Sequence, residues 1–371
     1  MKNLFLENEK RGGIFKREEV LQSDYAPSEL LHRENELKGL ADALKPLLSK
    51  SKPSNLFVFG LPGSGKTTSV RKVLADLQEC SQNAFCAYIN CWQSPSKQAI
   101  FSSLAEKLNE ALPRRGLGSD EIANRVFGIL NYERKFLVLV LDEVDRLFGK
   151  DEEDTLYEFA RANENHKIPT AIVMITNNRE LLAELDDRIR SSLGVLEEME
   201  FRQYSPSELK DILRERARVA LMEGSWSEEA IALCAAHGAK LKGDARVALE
   251  TLYRAAKNAE KKGRNRIEVI DVHEALEKSR EATLRKSVAL MGETERKIVA
   301  LLKEARDSGR EISSPEIYEK LKNELEKEGK EMSERQMRNY LEELEKAGII
   351  ASEFSGRGTP KGKVKTFKLL K

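Results

Sequence analysis

The sequence lacks the features that mark secreted, zinc-binding and membrane proteins. It has four cysteines, none in a Cys-x-x-Cys pair, and only four histidines, which argues against a structural metal site or a disulfide framework and favours reduced thiols. No window approaches the roughly 18 uninterrupted apolar residues of a membrane span. The opening stretch, MKNLFLENEKRGG, has no long apolar core, so no signal peptide is expected. We therefore predict a cytoplasmic protein with no membrane partner.

A strong overall charge is also missing. The 371 residues carry 63 Lys+Arg and 62 Asp+Glu, a net charge of +1, so global basicity does not indicate nucleic acid. The last stretch, 346–371, differs: it holds seven Lys/Arg and one acid, Glu353, a local net charge of +6. With 40% hydrophobic residues the chain can bury real cores, and its length predicts two or three domains.

Short apolar runs alternate with helical patterns up to about residue 203. The strand candidates are NLFVFG (55–60), AFCAYINCW (84–92), FLVLVLDEVD (136–145), PTAIVMITNN (169–178) and the weaker VLEEMEF (195–201). Strands that alternate with helices predict an α/β fold, with a mostly parallel sheet and helices on both faces. We predict that residues 1–203 form this domain, with an N-terminal extension before the sheet.

The rest of the chain contains two segments with different secondary-structure patterns. Residues 204–285 show only helical periodicity, beginning with the capping-box pair Ser205 and Glu208, and are predicted to form an all-α domain. Residues 286–371 read as three helices followed by an antiparallel hairpin around SGRGTPKGK. That order is typical of a winged helix, a variant of the helix-turn-helix.

The segment GLPGSGKT, residues 60–67, matches the phosphate-binding pattern G-x-x-x-x-G-K-[ST] and lies between a strand and a helix. Its glycines let backbone N–H groups wrap phosphates, and the following helix points its positive end at them. Lys66 is placed for the β- and γ-phosphates and Thr67 for Mg²⁺. We therefore predict ATP or ADP with Mg²⁺ as cofactors, bound by Gly60, Leu61, Pro62, Gly63, Ser64, Gly65, Lys66, Thr67 and Thr68.

Polar residues at the ends of two other strands complete the predicted site. Asp142 and Glu143 end the strand LVLVLDEVD; Asp142 can hold Mg²⁺ and Glu143 can polarise the attacking water. The alternative is a strand end whose acids are simply solvated. Asn177, at the end of the next strand candidate, is placed to bond the γ-phosphate or the water, but an isolated Asn there is more often a turn residue, so this role depends on a family resemblance.

With these motifs, the sequence resembles the AAA+ ATPases, and most closely the archaeal replication initiators related to the eukaryotic origin-recognition and Cdc-type loader proteins. The resemblance covers nearly the whole chain. It is carried by the phosphate loop, DYAPSELLHRENEL (24–37), LDDRIRSSLG (185–194), GDAR (243–246) and the winged helix. Clamp loaders of the superfamily typically carry Ser-Arg-Cys where RIRSSL stands here, which argues against that branch.

The resemblance implies further site residues. Arg246 would reach the γ-phosphate from the helical domain, which acts as a lid. Arg188 would be an arginine finger offered to a neighbouring subunit, with a surface salt bridge as the alternative and Arg190 as a competing candidate. The residues that would shape the adenine and ribose pocket are Tyr25, Pro27, His32 and Arg33.

Three basic segments are predicted to contact DNA. The third helix of the winged helix offers Arg335, Gln336 and Arg338, residue types that can read base edges. The hairpin tip carries Arg357, Lys361 and Lys363, and the glycine-flanked turn of a helical insertion (102–127) carries Arg114 and Arg115. For each loop the alternative is an ordinary solvated surface.

Taken with the resemblance, these residues imply an ATP-controlled initiator of DNA replication. It would bind double-stranded origin DNA, associate with the nucleoid, hydrolyse ATP slowly as a switch, and help to recruit or load the replicative helicase, with paralogous initiator subunits as further partners. One alternative is a winged-helix NTPase that regulates signalling or transcription. Another is a clamp-loader-like motor with fast, DNA-stimulated turnover.

Overall fold

The computed structural model describes residues 13–49, 51–111, 116–148, 154–290, 292–330, 332–346, 349–355 and 364–369. The chain divides into two units, Met1–Ala275 and Leu276–Lys371. The sheet and the helices that follow it up to residue 261 therefore belong to one unit, and the helix Val269–Leu290 crosses the boundary. The finer boundaries expected at residues 203 and 285 remain predictions.

Five of the predicted strands form one sheet in the first unit. They are β1 (Asn55–Gly60), β2 (Ala84–Asn90), β3 (Phe136–Asp142), β4 (Thr170–Thr176) and β5 (Leu196–Phe201). Their order in the sheet is β2-β3-β4-β1-β5, and every neighbouring pair is parallel. The carboxyl ends of β1, β3 and β4 therefore meet at one edge, which is where ligands bind in open parallel sheets.

Burial explains why the sheet takes this form. All seven residues of β3 are buried, as expected of a strand covered by helices on both faces. The edge strand β5 is different, since Glu197, Glu198 and Glu200 are exposed. Carboxylates on an exposed edge strand disfavour pairing with another chain.

Helices cover both faces of the sheet and then continue alone. They are α1 (Glu34–Leu44), α2 (Lys66–Cys80), α3 (Lys97–Lys107), α4 (Ser119–Tyr132), α5 (Asp154–Ala160), α6 (Ala162–His166), α7 (Leu181–Glu184), α8 (Asp187–Leu193), α9 (Pro206–Ala220), α10 (Glu228–Lys240), α11 (Ala245–Lys261) and α12 (Val269–Leu290), with 3-10 helices at Glu18–Leu21, Lys45–Ser49 and Val144–Leu147. One face of the sheet packs a core that includes Phe101, Phe127 and Phe159. The other packs Leu40, Val70 and their neighbours from α1 and α2.

The predicted all-α segment is confirmed in the described residues. Helix α9 begins with the predicted capping box: the Glu208 backbone N–H donates to Ser205 Oγ, and the Ser205 N–H donates to Glu208 Oε2 at 2.7 Å. Helices α10 and α11 approach each other closely at Gly238, where a Cβ would lie 2.8 Å from the Ala248 Cβ.

The second unit contains a winged helix. Its elements are α13 (Glu293–Asp307), β6 (Ile312–Ser313), α14 (Ser314–Lys327), α15 (Glu334–Lys346), β7 (Ile350–Ser355) and β8 (Val364–Leu369). The three strands form an antiparallel sheet in the order β6-β8-β7. Ile298, Ile317, Leu321, Leu341 and Phe367 belong to its core. The predicted fold class is therefore confirmed, with the short strand β6 as an unpredicted addition.

In the part of the chain that the structure describes, no helix combines the length and the apolar character needed to cross a membrane.

Candidate nucleotide site and DNA interface

A cavity of about 380 Å³ lies in the first unit at the carboxyl ends of the parallel strands. The predicted residues that line it are Tyr25, Pro27, Pro62, Gly63, Gly65, Lys66, Thr67, Thr68, Asp142, Glu143, Asn177 and Arg246. They come from five separate segments of the sequence. The sheet edge and the lid therefore bring together most of the residues assigned to the nucleotide, the metal and catalysis.

Lys66, the first residue of α2, lies buried in the hollow of the phosphate loop. Its Nζ donates to the carbonyl oxygens of Gly60 (2.7 Å) and Leu61 (3.0 Å) and to Asn177 Oδ1 (2.9 Å). Burial lowers the pKa of Lys66 to about 8, and the nearby Asp142 carboxylate opposes this shift. The ammonium therefore lies where an anion would restore its ordinary proton affinity.

Thr67 and Asp142 meet at the same end of the cavity. Thr67 Oγ1 donates to Asp142 Oδ2 at 2.8 Å, and the Tyr88 hydroxyl donates to the same oxygen at 2.6 Å. Burial, and then the hydrogen bond to Asp142, raises the pKa of Tyr88 to about 12. A hydroxyl and a carboxylate side by side are oxygen donors of the kind that Mg²⁺ binds beside substrate phosphates, so the residues fit the predicted metal.

Glu143 lies next to this pair in an uncommon backbone conformation. Its φ of 56° and ψ of 45° are left-handed, a region that costs a non-glycine residue on the order of 1–3 kcal/mol. Its backbone N–H donates to Asp142 Oδ1 at 2.9 Å, and the residue lines the cavity. The turn thus places two successive acidic residues at one strand end in different surroundings.

The lid contacts the phosphate loop at Gly63. The Ala245 backbone N–H donates to the Gly63 carbonyl at 3.3 Å. Gly63 has a φ of +73°, and a Cβ there would lie 1.9 Å from Asp244 Oδ1, so only glycine fits. The Arg246 guanidinium pairs with Asp244 at 3.1 Å, and Arg246 lines the cavity. The predicted lid residue is thus held beside the loop.

Two residues predicted to shape the adenine and ribose pocket lie elsewhere. Arg33 and His32 are absent from the cavity lining, whereas Tyr25 and Pro27 belong to it. The Arg33 side chain is buried and donates to the carbonyl oxygens of Ser64 and Arg202 at 2.9 and 2.7 Å. His32 Nε2 lies 3.2 Å from Asp211 of α9. A buried guanidinium needs acceptors, and here backbone carbonyls supply them behind the loop.

Three residues of the phosphate loop that were predicted to bind nucleotide do not line the cavity but support the loop from its other side. Gly60 and Leu61 are not among the residues that line the cavity, but their carbonyls hold the Lys66 ammonium. Ser64 is buried, and its Oγ donates to the Leu61 carbonyl at 2.8 Å. These contacts fix the shape of the loop that the lining residues present.

In the second unit, α15 turns its predicted DNA-binding residues outward. Arg335, Gln336 and Arg338 are exposed, whereas Met337 and Leu341 are buried in the core. The Gln336 side chain accepts from the backbone N–H of Ser333 at 2.9 Å, completing the predicted capping box, and Arg338 pairs with Glu334 at 2.6 Å. Arg114, Arg115, Arg357, Lys361 and Lys363 lie outside the described residues, so their roles stay predictions.

Comparisons with known proteins agree with this geometry. Residues 49–185 match an AAA domain, residues 210–277 the Cdc6 AAA+ ATPase-type lid domain, and residues 297–371 the CDC6 C-terminal winged helix domain. The ORC1-type DNA replication protein 1 of Sulfurisphaera tokodaii is 35% identical over 352 residues, which are 94% of this chain and 88% of the relative. The chain belongs to the ORC1/Cdc6 family of AAA+ DNA replication proteins.

Solved ORC1/Cdc6 structures have the same fold. The Aeropyrum pernix ORC1 protein, solved in complex with DNA, superposes with a TM-score of 0.71 at 32% identity, covering 96% of this chain and 94% of that one. The Cdc6p protein of Pyrobaculum aerophilum gives a TM-score of 0.64 at 26% identity, covering 95% and 94% of the two chains. The resemblance inferred from the motifs is confirmed.

The two finger candidates of this ORC1-type chain occupy different surroundings. The Arg188 side chain is 75% exposed, and its Nε lies 3.1 Å from Asp186, the N-cap of α8. Arg190 donates to the Leu182 carbonyl at 2.5 Å. Arg188 thus has the ion pair named as its alternative, and the assignment of the finger remains a prediction.

Several residues that line the cavity of this ORC1-type chain were not predicted from the sequence, and three of them, Tyr88, Arg71 and Arg216, contact other lining residues. Tyr88 holds Asp142, and the Arg71 guanidinium lies 4.0 Å from the Tyr88 ring centroid. Arg216 of α9 lies 4.7 Å from the Tyr25 ring centroid and donates to the Tyr25 carbonyl at 3.3 Å, and burial lowers its pKa. Of these three residues, only Tyr88 could have been identified from the sequence, because a tyrosine in an otherwise apolar strand needs a hydrogen-bond partner for its hydroxyl.

Proposed function

We propose that this ORC1/Cdc6-family protein is an ATP-controlled initiator that binds duplex origin DNA and helps to recruit or load the replicative helicase. One observation carries the proposal: the chain joins a phosphate loop in contact with its lid to a winged helix with exposed arginines. The names of the relatives support it, since one is a DNA replication protein and another was solved in complex with DNA.

The cavity suits ATP or ADP. Its phosphate end holds Lys66 and the first turn of α2, whose free N–H groups and dipole favour an anion. Tyr25 and Pro27 form part of its other wall and would contact the base or ribose. Asn177, already bonded to Lys66, and Arg246, on the lid, would contact the γ-phosphate.

Thr67 and Asp142 would hold Mg²⁺, which when bound neutralises the charge of the β- and γ-phosphates. Glu143 would orient and polarise the attacking water from the strand end. The left-handed backbone of Glu143 directs its side chain away from that of Asp142. The Asp142 carboxylate already accepts hydrogen bonds from the Thr67 and Tyr88 hydroxyls.

Hydrolysis would be slow and serve as a switch. If Arg188 or Arg190 acts on the site of a neighbouring subunit, a lone subunit lacks one transition-state charge, which in other NTPases changes the rate by roughly 10³–10⁵. We expect steady-state turnover well below about one per second for the isolated chain. ATP would mainly set the angle between the sheet and the lid.

DNA would be held by two regions. The α15 side chains Arg335, Gln336 and Arg338 would face the major groove, and Arg357, Lys361 and Lys363 of the hairpin would contact the flanking backbone. Arg114 and Arg115 would add a contact from the insertion. Helicase and paralogous initiator subunits are the expected protein partners, and the protein would be found on the nucleoid.

The test is selection of DNA from sheared genomic DNA of the encoding organism by the ATP-loaded protein, followed by sequencing. We expect a few sharp peaks, which Lys66→Ala should weaken because it removes nucleotide retention without unfolding the chain. Uniform recovery would contradict an origin-specific reader and favour an NTPase that regulates signalling or transcription. Turnover of many per second on added DNA would instead favour a clamp-loader-like motor.

A further inference from the structure

The buried guanidinium of Arg33 joins the phosphate loop to the segment that leads into the lid. Its Nε donates to the Ser64 carbonyl at 2.9 Å, and its second terminal nitrogen donates to the Arg202 carbonyl at 2.7 Å. The other terminal nitrogen donates to the His32 carbonyl at 2.8 Å and lies 3.2 Å from Glu36. Arg202 follows β5, and α9 begins at Pro206, so residues 202–205 link the sheet to the lid; this segment is called the hinge below.

Tyr204 packs this hinge against the same guanidinium and the same loop. The Arg33 guanidinium carbon lies 3.8 Å from the Tyr204 ring centroid. The Tyr204 hydroxyl oxygen lies 2.7 Å from the point where a Cβ on Gly65 would stand. Tyr204 is buried. The loop therefore cannot change shape at Ser64 and Gly65 without disturbing both Arg33 and Tyr204.

The lid closes these contacts into a ring. A Cβ on Gly243, which has a φ of +65°, would lie 2.6 Å from the Tyr204 carbonyl oxygen. The next residues, Asp244 and Ala245, contact Gly63 of the loop. Contacts thus run from loop to Arg33, to hinge, to the start of α11 and back to the loop. Arg33 is the member that holds loop and hinge with one rigid group.

We propose that Arg33 is a positioning residue that transmits nucleotide occupancy of the phosphate loop to the lid hinge. The proposal rests on nucleotide binding at the loop. A guanidinium presents its donors in a fixed planar fork, so a shift of the Ser64 carbonyl as the loop wraps phosphate shifts the fork, and the Arg202 carbonyl with it. Because the guanidinium is buried, loss of either carbonyl acceptor would leave an unsatisfied charged donor, which is costly. The Ser64 and Arg202 carbonyls must therefore move together.

Hydrogen exchange of the full-length chain, with and without saturating MgADP, tests this. In the wild type, MgADP should slow exchange in peptides that cover 60–68 and in peptides that cover 202–205. Arg33→Lys keeps the charge but cannot hold both carbonyls in one plane. We expect slowing over 60–68 to persist, while the slowing over 202–205 falls roughly tenfold.

Arg264→Lys is the matched control, because Arg264 also pairs with a buried group, Asp271, but lies within the lid. It should lower thermal stability and keep the hinge response. An unchanged hinge response in Arg33→Lys, or an equal loss in Arg264→Lys, would overturn the proposal. Absence of slowing over 60–68 in the wild type would overturn nucleotide binding itself. If Arg33→Lys fails to fold, Tyr204→Leu removes the ring beneath the guanidinium. Because Tyr204 also lines the cavity, it is compared with the wild type at MgADP concentrations that give equal slowing over 60–68, and the slowing over 202–205 should again be lost.

Discussion

At the scale of single residues, Lys66 links nucleotide binding to pH. Burial holds its pKa at about 8 without nucleotide, so above that pH the amine is largely neutral, and bound phosphate must restore its proton. One to two pH units below 8 the ammonium is already present, and almost no proton is taken up. We predict that the affinity for ADP falls as pH rises above 8, by up to about tenfold per pH unit.

Calorimetric titration of ADP at pH 7.5 and pH 9, in buffers with different heats of ionisation, measures this uptake. With a pKa of about 8, about nine-tenths of a proton should enter at pH 9 and about a quarter of a proton at pH 7.5. Lys66→Arg is the control, because arginine stays protonated throughout this range, so any ADP it still binds should take up no proton. Equal proton counts at the two pH values in the wild type would contradict the prediction.

The Tyr88 hydroxyl should matter to the metal rather than to the nucleotide. It donates to the Asp142 oxygen that also accepts from Thr67, so it fixes the rotation of that carboxylate. Loss of such a supporting partner typically costs about 10- to 100-fold in metal affinity. In Tyr88→Phe we predict that the Mg²⁺ concentration giving half of the metal-dependent gain in ADP affinity rises about tenfold.

A fluorescent ADP analogue, titrated with Mg²⁺, provides the measurement. Affinity in the presence of EDTA should match the wild type, because Tyr88 does not hold Lys66. Tyr132→Phe, at an exposed position on α4, should behave as the wild type throughout. An unchanged Mg²⁺ midpoint in Tyr88→Phe would show that Asp142 needs no such support.

The predicted site residues that the structure brings together in the cavity are those whose partners are near in the chain or fixed by a strand end. Lys66 and Thr67 follow from one local motif, and Asp142 from the end of a buried strand. Arg33 was expected to shape the adenine and ribose pocket, but it is not among the cavity-lining residues, and its acceptors are backbone carbonyls at Ser64 and Arg202. Backbone carbonyls exist at every residue, so no side-chain pattern can indicate which ones a distant arginine will find.

At the scale of elements, the strands were predictable because each is a short apolar run with polar ends, and parallel strands covered on both faces need that pattern. The two-residue strand β6 was not, since pairing of Ile312 and Ser313 with β8 depends on tertiary placement rather than local propensity. The capping boxes of α9 and α15 were predictable, because both partners lie three residues apart.

The α9 cap gives a prediction for stability. Ser205 and Glu208 satisfy each other's backbone N–H groups at the start of the helix that leaves the hinge. Ser205→Ala removes one acceptor, and N-cap losses of this kind cost about 1 kcal/mol. We expect a fall of that size in the free energy of unfolding by urea, and near-complete recovery with Ser205→Thr. A Thr variant as unstable as Ala would show that the hydroxyl is not the source.

At the scale of the whole molecule, charge is distributed unevenly although its sum is close to zero. The net charge of the 371 residues is +1, whereas 346–371 carries +6 by seven bases against one acid. The first unit has an exposed acidic edge at β5, and α15 exposes Arg335 and Arg338 beside Glu334. Electrostatic attraction to DNA should therefore come from a few local basic groups. The slope of log affinity against log salt concentration should then be proportional to the number of these groups that contact phosphates.

The hairpin supplies the last prediction. Replacement of Arg357, Lys361 and Lys363 by Ala removes three candidate phosphate contacts. Each contact contributes about 0.9 to the slope of log affinity against log salt concentration, so we expect the slope for duplex DNA to become shallower by about 2 to 3. Fluorescence anisotropy of a labelled duplex over a range of salt concentrations measures this slope.

A control variant replaces three exposed basic residues of the lid by Ala, namely Arg218, Lys240 and Lys261. It changes the net charge by the same amount and should leave the slope as it is. Equal losses in both variants would mean that net charge governs binding, and an unchanged slope in the hairpin variant would place the DNA contact elsewhere.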